Sequence, residues 1–135
     1  MRLALFLLVP CSAFAAGLTP FELKCEYLEK PLAIEDSHPR LSWKLKSTSA
    51  PESQTAWAIR AATSLEKLTR NKPDLWDSGK VSNAETSQVP YAGKQLASGQ
   101  HVYWQVKVWD KENKDSDWSE PTIWRVALTN PDDWV

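Results

Sequence analysis

Glycine is scarce in this chain, at four of 135 residues, and cysteine is scarcer, at two. The first shortage leaves no glycine-rich loop to cradle a phosphate and no G-x-S-x-G turn around a serine nucleophile. The second leaves no disulfide scaffold. Cys11 goes with an N-terminal signal segment, which leaves Cys25 alone on a strand-like segment, where a small buried hydrophobe is its simplest role. An excess of one charge is also missing: sixteen Lys and Arg face seventeen Asp and Glu, interspersed along the chain. With no basic stripe, neither nucleic acid nor an anionic membrane is an expected partner. His38 and His101 are far apart with no cysteine near either, so no metal is expected, and no motif implies a cofactor.

Long hydrophobic runs are absent except at the start, where Arg2 precedes the apolar stretch Leu3 to Val9 and then Ala13-Phe14-Ala15. A basic start, a short apolar centre and an A-x-A site make residues 1–15 a signal peptide, too short to span a bilayer as a stable helix. The expected destination is the periplasm or the medium. Cys11 offers a lipoprotein alternative, but Pro10 directly before it fits a lipidation site poorly. Removing the first fifteen of 135 residues leaves 120 and, with Arg2 gone, moves the formal charge from −1 to −2. A chain of that length makes one domain, burying roughly two thirds of its unfolded surface.

From Phe21 onward apolar residues recur with period 2, in short runs broken by Pro, Gly and polar residues. Phe21, Leu23, Cys25 and Tyr27 alternate up to Pro31, which suits a broken edge strand because it lacks a ladder donor. Leu41, Trp43 and Leu45 follow, then Trp57, Ile59 and Ala61. Ser64 to Leu68 is expected to wind into about one helical turn. Leu75-Trp76-Asp77 extends again, and Gln88 to Tyr91 makes a short edge strand. Val102, Trp104, Val106 and Val108 fill one face of a long strand while Gln105 and Lys107 take the wet one. A charged loop, Lys111 to Asp117, leads to Thr122, Trp124, Val126 and Leu128. Seven strands and no helix long enough to cover a sheet predict an all-β, seven-stranded sandwich over residues 18–129.

Two segments carry more than alternation. Leu96 to Asp110 with Ser116-Asp117-Trp118-Ser119-Glu120-Pro121 resembles the sixth strand, turn and seventh strand of fibronectin type III domains, and Leu41-Ser42-Trp43 resembles their second strand. Six residues after Leu96, where those domains place the tyrosine of the corner hydrogen bond, stands Val102, and the tyrosine is displaced to Tyr103. The order of Pro31 to Glu35, His38 to Trp43, Gln54 to Ile59, Asp74 to Val81, Tyr103 to Asp110 and Trp118 to Glu120 resembles something narrower. It is similar to the N-terminal immunoglobulin-like domain of the large, inverting, multidomain bacterial α-L-rhamnosidases. The resemblance implies further β-domains and an α/α-barrel whose acidic residues hydrolyse terminal rhamnosides. No position here matches that barrel. Residues 130–135, Asn-Pro-Asp-Asp-Trp-Val, look like the junction to the next domain. The chain is thus expected to be a non-catalytic accessory domain, a fragment whose partners are the following domains of a secreted glycoside hydrolase.

Local chemistry offers little against that reading. Asp110, Glu112, Asp115 and Asp117 could supply an acid and a base for glycoside hydrolysis, but a hairpin loop is a poor place to fix their separation or bury one of them. The same loop lacks the turn glycine and spacing of an EF-hand calcium site. Eight tryptophans are the one excess. Trp43, Trp57, Trp104 and Trp124 share faces with the apolar sets and belong to a core. Trp76, Trp109 and Trp118 fall out of phase or at strand ends, so they are the candidates for an interface or for stacking on rhamnose-containing glycans. A carbohydrate-binding module and a stand-alone fibronectin-III-like interaction domain are the alternatives.

Overall fold

The structure, a computed structural model, describes residues 17–47 and 53–129. The signal-peptide and junction expectations, 1–15 and 130–135, lie outside these. Seven strands and one short helix follow in the order β1 (Leu18–Cys25), β2 (Arg40–Ser47), β3 (Ala56–Ala62), α1 (Leu65–Thr69), β4 (Trp76–Asp77), β5 (Val89–Pro90), β6 (His101–Trp109) and β7 (Thr122–Arg125). They form two antiparallel sheets, β1-β2-β5 and β4-β3-β6-β7. Each sheet buries one face against the other, as alternating strands require.

The longest pairing, β3 with β6, sets the register of the larger sheet: Trp57 opposes Val108, Ile59 opposes Val106 and Ala61 opposes Trp104. Opposed residues point the same way, so these, with Val102, make a continuous inner face that is fully or almost fully buried. Pro90 sits on the edge strand β5, where its missing N–H costs no ladder bond. The expected helical turn forms as α1, with Ser64 Oγ accepting from the Lys67 amide at 3.2 Å and Leu68 turned inward.

β1 departs from simple alternation. Phe21 opposes Lys44 and Lys24 opposes Ser42, so three steps on β1 meet two on β2, with Glu22 at φ 47° in the extra position. That bulge reverses the inward parity: Leu18 and Pro20 point to the core before it, Leu23 and Cys25 after it. Phe21, expected on the core face, lies outward under the Lys46 ammonium, 4.6 Å from its ring centre. Tyr27 is likewise outside, 48% exposed in the turn after β1.

Across the core runs a chain of six aromatic rings in edge-to-face contact: Trp43, Trp57, Trp76, Tyr91, Trp124, Trp104, with centroid separations from 5.3 to 6.3 Å. Edge-to-face pairs gain about 0.5–1.5 kcal/mol beyond their burial. Trp43 Nε1 donates to Gln54 Oε1 at 3.0 Å, and Gln54 Nε2 in turn donates to the carbonyls of Asn83 and Glu85. The buried indole nitrogens of Trp57, Trp104 and Trp124 find no acceptor among the described residues.

A different tyrosine, after β5 and not at the start of β6, fastens its own connection through its hydroxyl. Tyr91, just after β5, donates its hydroxyl to the Lys94 carbonyl at 2.7 Å. Gly93 makes room for it, since any Cβ there would come within 2.5 Å of that hydroxyl, the Leu75 carbonyl and Trp76. Burial, with the nearby Asp74 charge adding to it, pushes the Tyr91 phenol up to about 12.

Candidate functional site

The outer face of the larger sheet carries the most densely interacting side chains outside the core. β3 contributes Arg60 between the small residues Ala58 and Ala62; β6 contributes Gln105, Lys107 and Trp109. The alternation predicted a wet side here, yet Gln105 is only 8% exposed. Its Oε1 accepts from Arg60 Nε at 2.8 Å and its Nε2 donates to the Ser119 carbonyl at 3.1 Å. The segment 115–119 lies over this face, because two serines stitch it to β6. The Val106 and Val108 amides donate to the hydroxyls of Ser119 and Ser116, both at 3.0 Å, while the Ser119 and Ser116 amides donate back to the Val106 and Val108 carbonyls at 2.8 Å. Sequence reasoning passed over this pair of serines; their i, i+3 spacing around Asp117-Trp118 was the available signal.

Stitching the segment down lays Trp118 on the sheet. Lys107 Nζ lies 5.1 Å from the Trp118 ring centre and 6.0 Å from that of Trp109. The Arg60 guanidinium lies 4.0 Å over Trp118, and Lys80 Nζ 5.1 Å over Trp109. Lys107 also pairs with Asp115 at 3.1 Å; its ammonium bonds that carboxyl and holds it below the usual range. Lys80 and Arg60 bond Asn113 and Asn71. Two indoles thus alternate with three cations, an attraction of about 0.5–2 kcal/mol per contact. Of the three tryptophans singled out, Trp109 and Trp118 come together here, each already under two cations. Trp76 does not join them: it opposes Ala61, faces inward and belongs to the aromatic chain.

The acids of the 110–117 loop are engaged in shaping the turn. Asp110 is buried, and its Oδ1 accepts from the amides of Glu112 at 2.8 Å and Lys114 at 3.0 Å. Glu112 pairs with Lys114 at 3.4 Å, and Asp115 with Lys107. His38 Nδ1 lies 3.0 Å from the Tyr91 carbonyl, and His101 stands exposed on β6. Among the described residues no three His, Cys, Asp or Glu side chains converge to hold a metal ion, and no helix is long and apolar enough to cross a membrane. Cys25 is buried, and burial foremost pushes its thiol up to about 12, far from a nucleophile's range. A hollow of about 560 Å³ runs between β1 and the segment leading into β7, lined by Phe21, Leu23, Trp118 and Pro121 with Glu29 and Glu120 among its lining residues.

Comparison with known proteins agrees with this architecture. Residues 20–130 match the family described as the Rha78A-like, N-terminal immunoglobulin domain. An α-L-rhamnosidase of Formosa agariphila is 41% identical over 104 residues, 77% of this chain and 11% of the relative. The crystal structure of Streptomyces avermitilis α-L-rhamnosidase complexed with L-rhamnose superposes with a TM-score of 0.81 at 38% identity, covering 87% of this chain and 11% of that one. The α-L-rhamnosidase from Dictyoglumus thermophilum gives a TM-score of 0.81 at 35% identity, over 86% of this chain and 13% of that one. The chain therefore spans about a tenth of the length of these relatives. A two-sheet sandwich of this topology, matched from residue 20 to residue 130, places the chain in the family of N-terminal immunoglobulin domains of Rha78A-like α-L-rhamnosidases.

Proposed function

We propose that this chain is the non-catalytic N-terminal accessory domain of an exported α-L-rhamnosidase, and that it supports the packing and stability of the domains that follow. The observation that carries this is the coverage: most of the chain aligns with only about a tenth of each rhamnosidase, so hydrolysis of terminal rhamnosides falls to the remaining nine tenths. The interior agrees, since its buried polar groups serve the turn, the serine stitch and the Gln54 bridge. Residues 130–135 serve as the junction, and residues 1–15 as the export signal. The test is to read the encoding DNA beyond Val135 and assay the resulting protein on a chromogenic α-L-rhamnoside. A longer reading frame with activity is expected; a native stop codon in an expressed gene would refute the reading. Deleting the domain from the active protein should lower its unfolding temperature, and an unchanged value would argue against a stabilising role.

A glycan-stacking reading draws on the convergence of Trp109 and Trp118 on one face. The cations over both rings compete with a sugar for the same π surface, which favours the packing reading. Titration with rhamnose-containing oligosaccharides discriminates: a saturable change in indole fluorescence at millimolar sugar would support stacking, and a flat response would remove it.

A further inference from the structure

Three of the four large apolar side chains that stand exposed among the described residues lie on one connection, 26–35: Tyr27, Leu28 and Leu32, the last 76% exposed. This connection is held firmly. Cys25 and Leu28 exchange both backbone hydrogen bonds, at 3.0 and 2.9 Å, around Glu26 and Tyr27 at φ 50° and 63°, and Lys30 follows at φ 47°. Left-handed backbone costs a residue with a side chain about 1–2 kcal/mol, and such cost tends to persist where a shape is needed. The Glu26 carboxylate grips Arg40 at 2.8 Å. Further on, the Pro31 carbonyl accepts from the Arg125 amide, the Ile34 amide donates to the Arg125 carbonyl, and the Ile34 carbonyl accepts from the Ala127 amide, all at 2.8–2.9 Å. Leu32 and Ala33 are therefore strapped alongside the end of β7. With Val126 and Leu128 they line an apolar hollow of about 260 Å³, with Glu35 and Arg125 at its rim.

We propose that this strap and hollow are the surface on which the domain following in the same polypeptide docks, with Leu32 as the anchor. The inference rests on the reading of the chain as the front of a longer enzyme and adds the face that is used. Leu128 packs against Gly99, where an added Cβ would meet its Cδ2 at 2.8 Å, and the Thr129 amide donates to Ser98 Oγ at 2.8 Å. The last described residue is thus pinned beside the hollow. The polypeptide that continues past Thr129 therefore departs from the edge of the hollow, so a domain that follows closely meets this side of the sandwich first. An apolar centre with a charged rim on preorganised backbone suits a protein surface, where little ordering entropy remains to be lost.

The test compares Leu32→Glu with Leu65→Glu in the full-length enzyme. Leu65 is also exposed, but on α1, which packs against β3 and β6 of the larger sheet. L32E should lower the enzyme's unfolding temperature by about 3 °C or more and speed proteolysis between residues 130 and 135 about tenfold, while L65E does neither. The 135-residue chain alone should unfold at the same temperature with and without L32E, which separates lost docking from misfolding. Independently, amides 32–35 and 126–129 should exchange more slowly in the full-length enzyme than in the 135-residue chain. Equal responses to the two substitutions, or equal exchange in the two proteins, would overturn the proposal. A stop codon after Val135 would remove both this inference and the reading beneath it; an active rhamnosidase indifferent to L32E would remove only this one.

Discussion

Tryptophan does two kinds of work in this sandwich, and the difference lies in what covers the ring. Between the sheets, Trp43, Trp57, Trp104 and Trp124 meet other aromatic rings edge to face and lose nearly all contact with water, with the partly buried Trp76 packed against them. On the outer face, Trp109 and Trp118 meet Lys80, Lys107 and Arg60 and remain half-buried. The inner set gains chiefly from burial, which is non-directional and large. The outer set gains from charge over a π face, which is smaller at a wet surface and serves mainly to hold the segment 115–119 in place.

The largest effect that would sharpen this contrast is at the centre of the inner set. Trp104→Ala should cost about 3–5 kcal/mol, read from the urea midpoint of unfolding; a loss below about 1 kcal/mol would mean that Trp104 is not part of a close-packed core. Next comes Tyr91→Phe, which keeps the ring but leaves the Lys94 carbonyl without its hydroxyl donor. A loss of about 1–2 kcal/mol is expected, and no loss would show this hydroxyl bond to be incidental. On the outer face a double-mutant cycle of Arg60→Met and Trp118→Leu should return a coupling of about 0.5–1 kcal/mol; zero coupling would break the distinction between the two faces.

The mildest expectations are in the pH dependence, where the two regions fail at opposite ends. Burial alone would raise the Asp74 carboxyl, but the Thr63 hydroxyl and amide and the Lys67 ammonium outweigh it and hold it at about 2. A depressed carboxyl stabilises the fold above its unfolded value near 3.8 and loses that contribution as pH falls towards 2. Asp74→Asn should therefore flatten the stability profile between pH 4 and pH 2, with a small amplitude because this carboxyl is only partly buried and solvent screens it. In the core the signs reverse. Cys25 and Tyr91 are raised to about 12, so their contributions are complete below about pH 9 and 10 and decline as pH rises towards 12. Cys25 should also stay unreactive to thiol reagents at pH 8 until the protein unfolds, and rapid labelling of the native chain would contradict its burial.

How far the sequence could be read depended on whether a residue's role follows from its own strand. The four tryptophans assigned to the core, the β6 inner face, the edge position of β5 and the turn at α1 all follow from local alternation, proline chemistry and capping. Phe21 did not, because a bulge at Glu22 changes parity, and Tyr27 did not, because β1 ends at Cys25 and the chain turns back there to pair with Leu28. Trp76 seemed a surface candidate because β4 is two residues long and shows no period; its pairing with Ala61 turns it inward. Gln105 read as wet because the strand's alternation says nothing about a later segment folding over it.

Composition and period 2 were enough to determine an all-β sandwich, since burial of alternating apolar residues is a local property of each strand, and the order of short motifs carried the resemblance to the rhamnosidase N-terminal domains. Tertiary structure alone decided that Trp76 turns inward, that Gln105 is covered, and where an apolar strap lies beside the chain's last described residue. Those outcomes depend on contacts between segments far apart in sequence, and no local pattern encodes which distant groups will meet.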